Sequence, residues 1–217
     1  MSESLKTVGI YLAAGTSSRM GVDKRYLPLG NRPLGNRPLG SWALHEALHS
    51  MLENVVVVGR SNDSFEWLSP KYENKSKLHI ARTFSHTICQ SHSLQTGLDK
   101  AISLQAQAVL VMLADQPFVT RKHINQIIKV FHYTYTKKPL FIASKYQDIT
   151  IPPILLTKSL FPEIKLLTGD QGAKTILKSQ KENGLFIRFN DSLWTIDVDT
   201  PEIYNLVCKK HFAYPPF

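Results

Sequence analysis

The sequence predicts an α/β protein: a single-domain, doubly wound, mostly parallel sheet. Three observations predict it. Val8–Ala14, the valine run inside Asn54–Gly59 and Ala108–Ala114 are short and apolar throughout, as expected of strands buried on both faces. Stretches with helical spacing separate these runs. That alternation makes parallel pairing with crossover helices the economical topology. At 217 residues the chain can bury one sizeable core, and no composition shift marks a boundary, so one domain over residues 1–217 is expected.

In chain order, Val8–Ala14 is the first strand, broken by Gly15. Residues 28–40 read PLGNR-PLGNR-PLG, a tandem repeat far too short in period for a solenoid, and its Gly and Pro predict an extended, mobile loop. Ser41 is placed to cap a helix running to about Leu52, with Trp42, Leu44, Leu48 and Met51 on its buried side. Asn54–Gly59 is the second strand. Residues 60–77 are polar, with a short helix expected at Phe65–Leu68, and Leu78–Arg82 is the third strand. A helix over Ser91–Leu104 precedes the central strand Ala108–Ala114. Thr120 caps a helix to Tyr133; strands at Leu140–Ser144 and Ile151–Leu156 follow. Ser159–Lys165 and Gly172–Ser179 read as helices, Leu185–Phe189 and Leu193–Val198 as strands. The last helix starts at Pro201, a favoured first-turn residue, and HFAYPPF is the tail.

Composition narrows the class. Hydrophobic residues at 43% and charged residues at 20% are ordinary for a globular protein, and no apolar run approaches a membrane span. The net charge of +9 suits anionic ligands; without an arginine-rich tract or interleaved aromatic and basic residues, no nucleic-acid partner is expected. Cys89 and Cys208 lie far apart, with no disulfide framework and no C-x-x-C, which suits a cytoplasmic location.

Chemistry concentrates at strand ends. After the first strand come Thr16-Ser17-Ser18, then Arg19, Gly21 and Lys24. A buried strand delivering a small-residue loop puts backbone N–H groups at the carboxyl edge of a sheet, and Arg19 and Lys24 supply countercharge for phosphates. Asp115 follows the central strand and should reach the same edge, where a short hard carboxylate suits Mg²⁺. Asp197 and Asp199 lie two apart, so on a strand they would face one side. Capping roles are the bland alternatives for Asp115 and Asp199.

The loop lacks G-x-x-x-x-G-K-[ST] and G-x-G-x-x-G. It reads L-A-A-G-x-S-x-R-M-G-x-x-K over Leu12–Lys24, and with D-Q-P-F at Asp115–Phe118 and D-x-D-T-P-E at Asp197–Glu202 it resembles the MobA-like NTP transferases. Within that family it is most similar to the molybdenum-cofactor cytidylyltransferases and the purine-catabolism proteins of the PucB type. The resemblance spans Leu12–Glu202 and implies a Rossmann-like nucleotidyltransferase fold. It implies transfer of CMP from CTP to a molybdopterin-type cofactor, with loss of pyrophosphate, in the maturation of a xanthine dehydrogenase-like enzyme. By resemblance Arg19, Lys24 and Asp115 are catalytic. Leu12, Ala13, Ala14, Gly15, Arg19, Lys24, Ser93 and Gly97 bind nucleotide, and Asp115 and Asp199 hold Mg²⁺ with Asp197 secondary. Pro153, Gly169, Asp170 and Gly172 are then on the acceptor side, the last three within L-T-G-D-Q-G-A-K. One PLGNR copy reads as an insertion, since such relatives carry one unit.

Three rivals stand beside this reading. A sugar-phosphate nucleotidylyltransferase would usually show T-R-L where this chain has S-R-M-G. A non-catalytic cofactor-insertion chaperone is at odds with retained Lys24, Asp115 and Asp199. His45-Glu46-Ala47-Leu48-His49 satisfies H-E-x-x-H, the zinc-peptidase pattern, but Leu52 and Val55 stand where the extended pattern needs Gly and His. Solvent-exposed helix histidines are the favoured reading there.

Overall fold

The computed structural model describes residues 5–30, 37–68, 72, 76–84 and 89–211. Seven strands form one sheet: β1 (Thr7–Leu12), β4 (Asn54–Arg60), β5 (Leu78–Thr83), β6 (Ala108–Leu113), β7 (Phe141–Tyr146), β8 (Ile149–Thr157) and β9 (Gly184–Arg188). Their spatial order is β5-β4-β1-β6-β8-β7-β9. The first four in that order run parallel, while β8 is antiparallel to both β6 and β7. The sheet is thus mostly parallel, as the unbroken apolar runs require.

Helices cover both faces. Strand residues Tyr11, Val55, Val57, Leu110 and Met112 pack with α1 (Trp42–Leu48) and α3 (Arg121–Thr134). Val8, Ile10, Val56, Val58, Val109 and Val111 face α2 (Gln90–Ser103), α4 (Phe161–Lys165) and α5 (Ala173–Ser179). Neighbouring residues of a strand project to opposite faces, so both layers draw on the same short segments. Thr120 caps α3 as expected: its hydroxyl accepts from His123 N–H, and the His123 ring completes a capping box.

Several sequence expectations change. Ser41 does not cap α1; its hydroxyl donates to Pro38 O, and the chain enters the helix through a 3₁₀ turn at Leu39–Ser41. α1 stops at Leu48, leaving Met51 exposed. Phe65–Leu68 makes only a turn, closed by Leu68 N–H to Phe65 O at 2.8 Å. Leu193–Val198 is not a strand but a 3₁₀ turn (Leu193–Thr195) followed by irregular chain. A backbone bond from Val198 N–H to Asp115 O at 2.9 Å captures it instead.

The repeat is ordered at both ends. Strand β2 (Pro28–Leu29) pairs antiparallel with β3 (Arg37–Pro38). Leu29 and Leu39 are fully buried beside Met20, Val198 and Val207, the last on α6 (Pro201–His211). The expected mobile loop is therefore corrected for these residues. Residues 31–36 and the tail 212–217 lie outside the described residues.

Candidate active site

Register brings the site together at the carboxyl edge of the parallel strands. Ala13 N–H continues the ladder to Val58 O at 2.9 Å, and Ala114 N–H reaches Leu12 O at 3.1 Å. The loop after β1 thus lies between the ends of β4 and β6, where open α/β sheets take ligands. A cleft of about 510 Å³ opens there. It is lined by Leu12 through Arg19, Lys24, Ser93, Asp115, Asp170, Lys174, Asp197 and Asp199, among others.

Charges converge in this cleft. Lys24 Nζ donates to Asp115 Oδ2 at 2.8 Å and to Asp199 Oδ1 at 2.5 Å. Arg19 Nη2 donates to Asp199 Oδ2 at 2.6 Å. Burial works against the Lys24 ammonium, but the two carboxylates outweigh it and hold it above its ordinary range. Burial likewise opposes ionisation of Asp199, yet Lys24 and Arg19 prevail and keep it below the usual carboxylate range. Asp197 behaves differently. Burial, then the charge of Asp115, push its carboxyl up, although Gln116 Nε2 donates to Asp197 Oδ1 at 2.7 Å. The two carboxylates of the D-x-D pair therefore serve different partners.

The donor set fits a hard cation. Asp115 Oδ1 is shielded from water and has no hydrogen-bond partner among the described residues. A buried carboxylate oxygen in that position calls for a cation or a donor. Among the described residues no group of three or more His, Cys, Asp or Glu is arranged to hold a metal. Magnesium needs no such cage: one or two carboxylates suffice when waters and phosphate oxygens complete its shell.

Not every expected residue reaches the cleft. Gly97 lies on the sheet-facing side of α2: a Cβ there would stand 2.5 Å from Ile10 Cγ2 and 3.0 Å from Val58 Cγ2. It is a close-packing glycine, which corrects its assignment to nucleotide binding. Pro152 and Ile154 line the cleft, whereas Pro153 does not; its carbonyl accepts from Ser144 Oγ at 2.7 Å. Gly169 and Gly172 flank Asp170 without lining the cleft; Gly169 O accepts from Ser91 N–H, and Gly172 sits against the Gln90 side chain.

The sequence reading missed Arg25, Arg60, Asp63 and Lys174. Lys174 lines the cleft inside a motif whose glycines drew attention. Arg60 and Asp63 were legible in principle, because β4 is parallel to β1 and ends at the same edge. The H-E-x-x-H motif has a packing use: Glu46 Oε2 accepts from Arg121 N–H at 2.8 Å, at the start of α3. His45 Nδ1 bonds the Tyr72 hydroxyl at 2.7 Å and is half-buried, not exposed.

An open doubly wound sheet with a cation-bearing, small-residue loop at its carboxyl edge is the architecture of a nucleotide-binding α/β domain. The MobA-like NTP transferase domain matches residues 9–183, and the chain belongs to that family. Purine catabolism protein PucB of Bacillus subtilis (strain 168) is 35% identical over 207 residues, covering 92% of this chain and 95% of that protein. The crystal structure of Rv0371c from Mycobacterium tuberculosis H37Rv superposes with a TM-score of 0.76 at 20% identity, over 94% of this chain and 99% of that one. A cytidylyltransferase from Leptospira borgpetersenii superposes with a TM-score of 0.67 at 17% identity, over 96% and 87%. Among the described residues no helix is long and apolar enough to cross a membrane.

Proposed function

We propose that this nucleotidyltransferase-family chain uses Mg²⁺ to transfer CMP from CTP to a molybdopterin-type phosphate. The reading places it in the maturation of a xanthine dehydrogenase-like enzyme in the cytoplasm. The observation that carries it is Lys24 held between Asp115 and Asp199, with a second Asp115 oxygen buried and unpartnered beside the loop. The kinship with a purine catabolism protein supports the cellular role, and the cytidylyltransferase likeness supports the base.

In this mechanism an acceptor phosphate oxygen attacks the α-phosphorus of the nucleotide. The bond from that phosphorus to the bridging oxygen breaks, and pyrophosphate leaves with the electron pair. The attacking oxygen is already anionic, so no side chain need remove a proton. Asp115 and Asp199 would hold Mg²⁺, which when bound supplies charge stabilisation to the phosphates. Arg19 and Lys24 neutralise the triphosphate. Amides of Ala14 and Gly15 approach its oxygens closely because the side chains there are small. Ser93 faces the nucleobase, and Asp170 with Lys174 borders the acceptor side of the cleft. Positioning and charge account for most of the rate.

The test is pyrophosphate release by purified protein with each of the four nucleotides, with and without molybdenum cofactor. Release with CTP that depends on both cofactor and Mg²⁺ is the expected result. Release with a sugar phosphate as acceptor, and none with the cofactor, would overturn the acceptor assignment.

A further inference from the structure

A loop made of Ala13, Ala14 and Gly15 has no side chains able to fix its own conformation. Two guanidiniums do so, that of Arg25 itself bordering the cleft. Arg25 Nη1 donates to Ala13 O at 2.9 Å. Arg60 Nε donates to Ala14 O at 3.1 Å, and Arg60 Nη2 donates to Gly15 O. Three successive carbonyls are thus drawn one way. In a trans peptide the C=O and the following N–H point in opposite directions. The amides of Ala14, Gly15 and Thr16 are therefore turned away from the guanidiniums, and all three residues line the cleft.

Arg25 is itself pinned. Its guanidinium pairs with the fully buried Asp63 carboxylate, reaches both oxygens of Asp23 and lies 5.7 Å from the Trp67 ring centroid. Arg82 Nη1 donates to Asp63 O at 2.6 Å and so fixes that partner's backbone. Only a planar fork can meet Asp63, Asp23 and Ala13 O together; an ammonium cannot. Two guanidiniums and two carboxylates sum to zero charge, so this set contributes orientation and not attraction. That separates it from Arg19 and Lys24.

We propose that Arg25 and Arg60, anchored by Asp23 and Asp63, are positioning residues that aim the loop amides at the nucleotide's phosphates. The proposal rests on the nucleotide-binding reading above. Arg60→Met is the first variant, since the Arg60 side chain is partly exposed and its loss strands no buried charge. The second is the pair Arg25→Met with Asp63→Leu, which removes both members of a buried ion pair together. Affinity for CTP, ATP, GTP and UTP with Mg²⁺ is measured by calorimetry at low and high salt.

Arg60→Met should weaken binding of the preferred nucleotide about tenfold or more, with the melting temperature nearly unchanged. Arg60→Lys should recover part of the loss by reaching one carbonyl. Most of the loss should persist at high salt, which screens the charge removed with Arg60, whereas that of Lys24→Ala should shrink. If Arg60→Met binds like the wild type, or its deficit vanishes at high salt, the positioning role is wrong. The double variant then adds its own check if it folds; Arg60→Met decides alone if it does not. If the wild type binds none of the four nucleotides, the nucleotide reading itself falls and this role with it.

Discussion

Replacing each metal-side carboxylate by its amide separates chemistry from folding. In Asp199→Asn, Lys24 keeps Asp115 at 2.8 Å, so no buried charge is stranded. Two partly exposed pairs are lost, to Lys24 and to Arg19, and such pairs contribute about 1 kcal/mol or less each. For a chain of this size that is at most roughly 4–8 °C in melting temperature. Asp115→Asn should cost more. Lys24 demands an oxygen at the Oδ2 position, which leaves the NH₂ group where Oδ1 now sits, buried and without an acceptor. An unpaired buried donor costs about 1–3 kcal/mol. Loss of a group that stabilises transition-state charge costs more still, about 10²- to 10³-fold in turnover. Both variants should therefore fold, with Asp115→Asn the less stable, and both should lose at least about 100-fold in kcat and need more Mg²⁺ to reach half-maximal rate. The assay is pyrophosphate release across a Mg²⁺ titration, beside thermal melts. Turnover within about fivefold of wild type in both variants would refute the two-carboxylate site. Turnover lost only in proportion to unfolded protein would refute the catalytic argument for that residue.

Gly97→Val should lower the melting temperature by several degrees, since its branches meet Ile10 and Val58, with an overpacking cost of about 1–3 kcal/mol. Nucleotide affinity of the folded protein should not change; a large affinity loss would restore Gly97 to the binding site. Burial pushes the His123 imidazole below its ordinary value, so the unfolded chain takes up the proton first. The stability this neutral ring contributes is complete above about pH 6.5 and is lost as the pH falls below it. Denaturant melts should show that loss, and His123→Gln, which still suits a capping box, should flatten it. Deleting residues 31–35 should leave fold and turnover near wild type, as judged by melts and pyrophosphate release. Metal-clean protein should carry no stoichiometric zinc; one equivalent lost on His45→Ala would revive the peptidase reading.

The sheet was legible because a strand buried on both faces must be apolar along its whole length, as in Ala108–Leu113. Leu193–Val198 misled for the same reason: Ile196 and Val198 join a satellite cluster with Leu29 and Val207, and Trp194 packs on His123 and Phe189, with no ladder. Backbone pairing to Asp115 O is a tertiary event with no local signature. Among site residues, those that project charge into the cleft stood out, because charge beside a glycine-bearing strand end is unusual. Their supports did not. Arg25, next to Lys24, and Asp63, in the polar stretch after β4, carry no local signature; the fold brings the Asp63 carboxylate onto Arg25, whose Nη1 donates to Ala13 O.

Both described ends of the repeat, near Leu29 and Leu39, touch the core. Leu39 N–H donates to Leu27 O at 2.8 Å, and Gly40 O accepts from the Tyr11 hydroxyl at 2.8 Å. Gly40 also lies against Arg25 and Trp67, where a Cβ would stand 3.1 Å from Arg25 Cβ and 2.9 Å from the indole. Between these anchors Leu29 pairs with Arg37, so residues 30–36 join the two strands of the ribbon. Removing 31–35 leaves Gly30 followed by Asn36 between the same two partners. Gly30 has φ of +133°, which glycine tolerates, and a two-residue connection opening on glycine suits an antiparallel ribbon. The length of the 30–36 connection can therefore change without altering the ribbon register or the contacts of Gly40. Lengthening the connection from two residues to seven costs only about 1 kcal/mol in closure entropy. Foreign residues inserted between Leu39 and Gly40 would instead separate Gly40 from Tyr11 and Arg25.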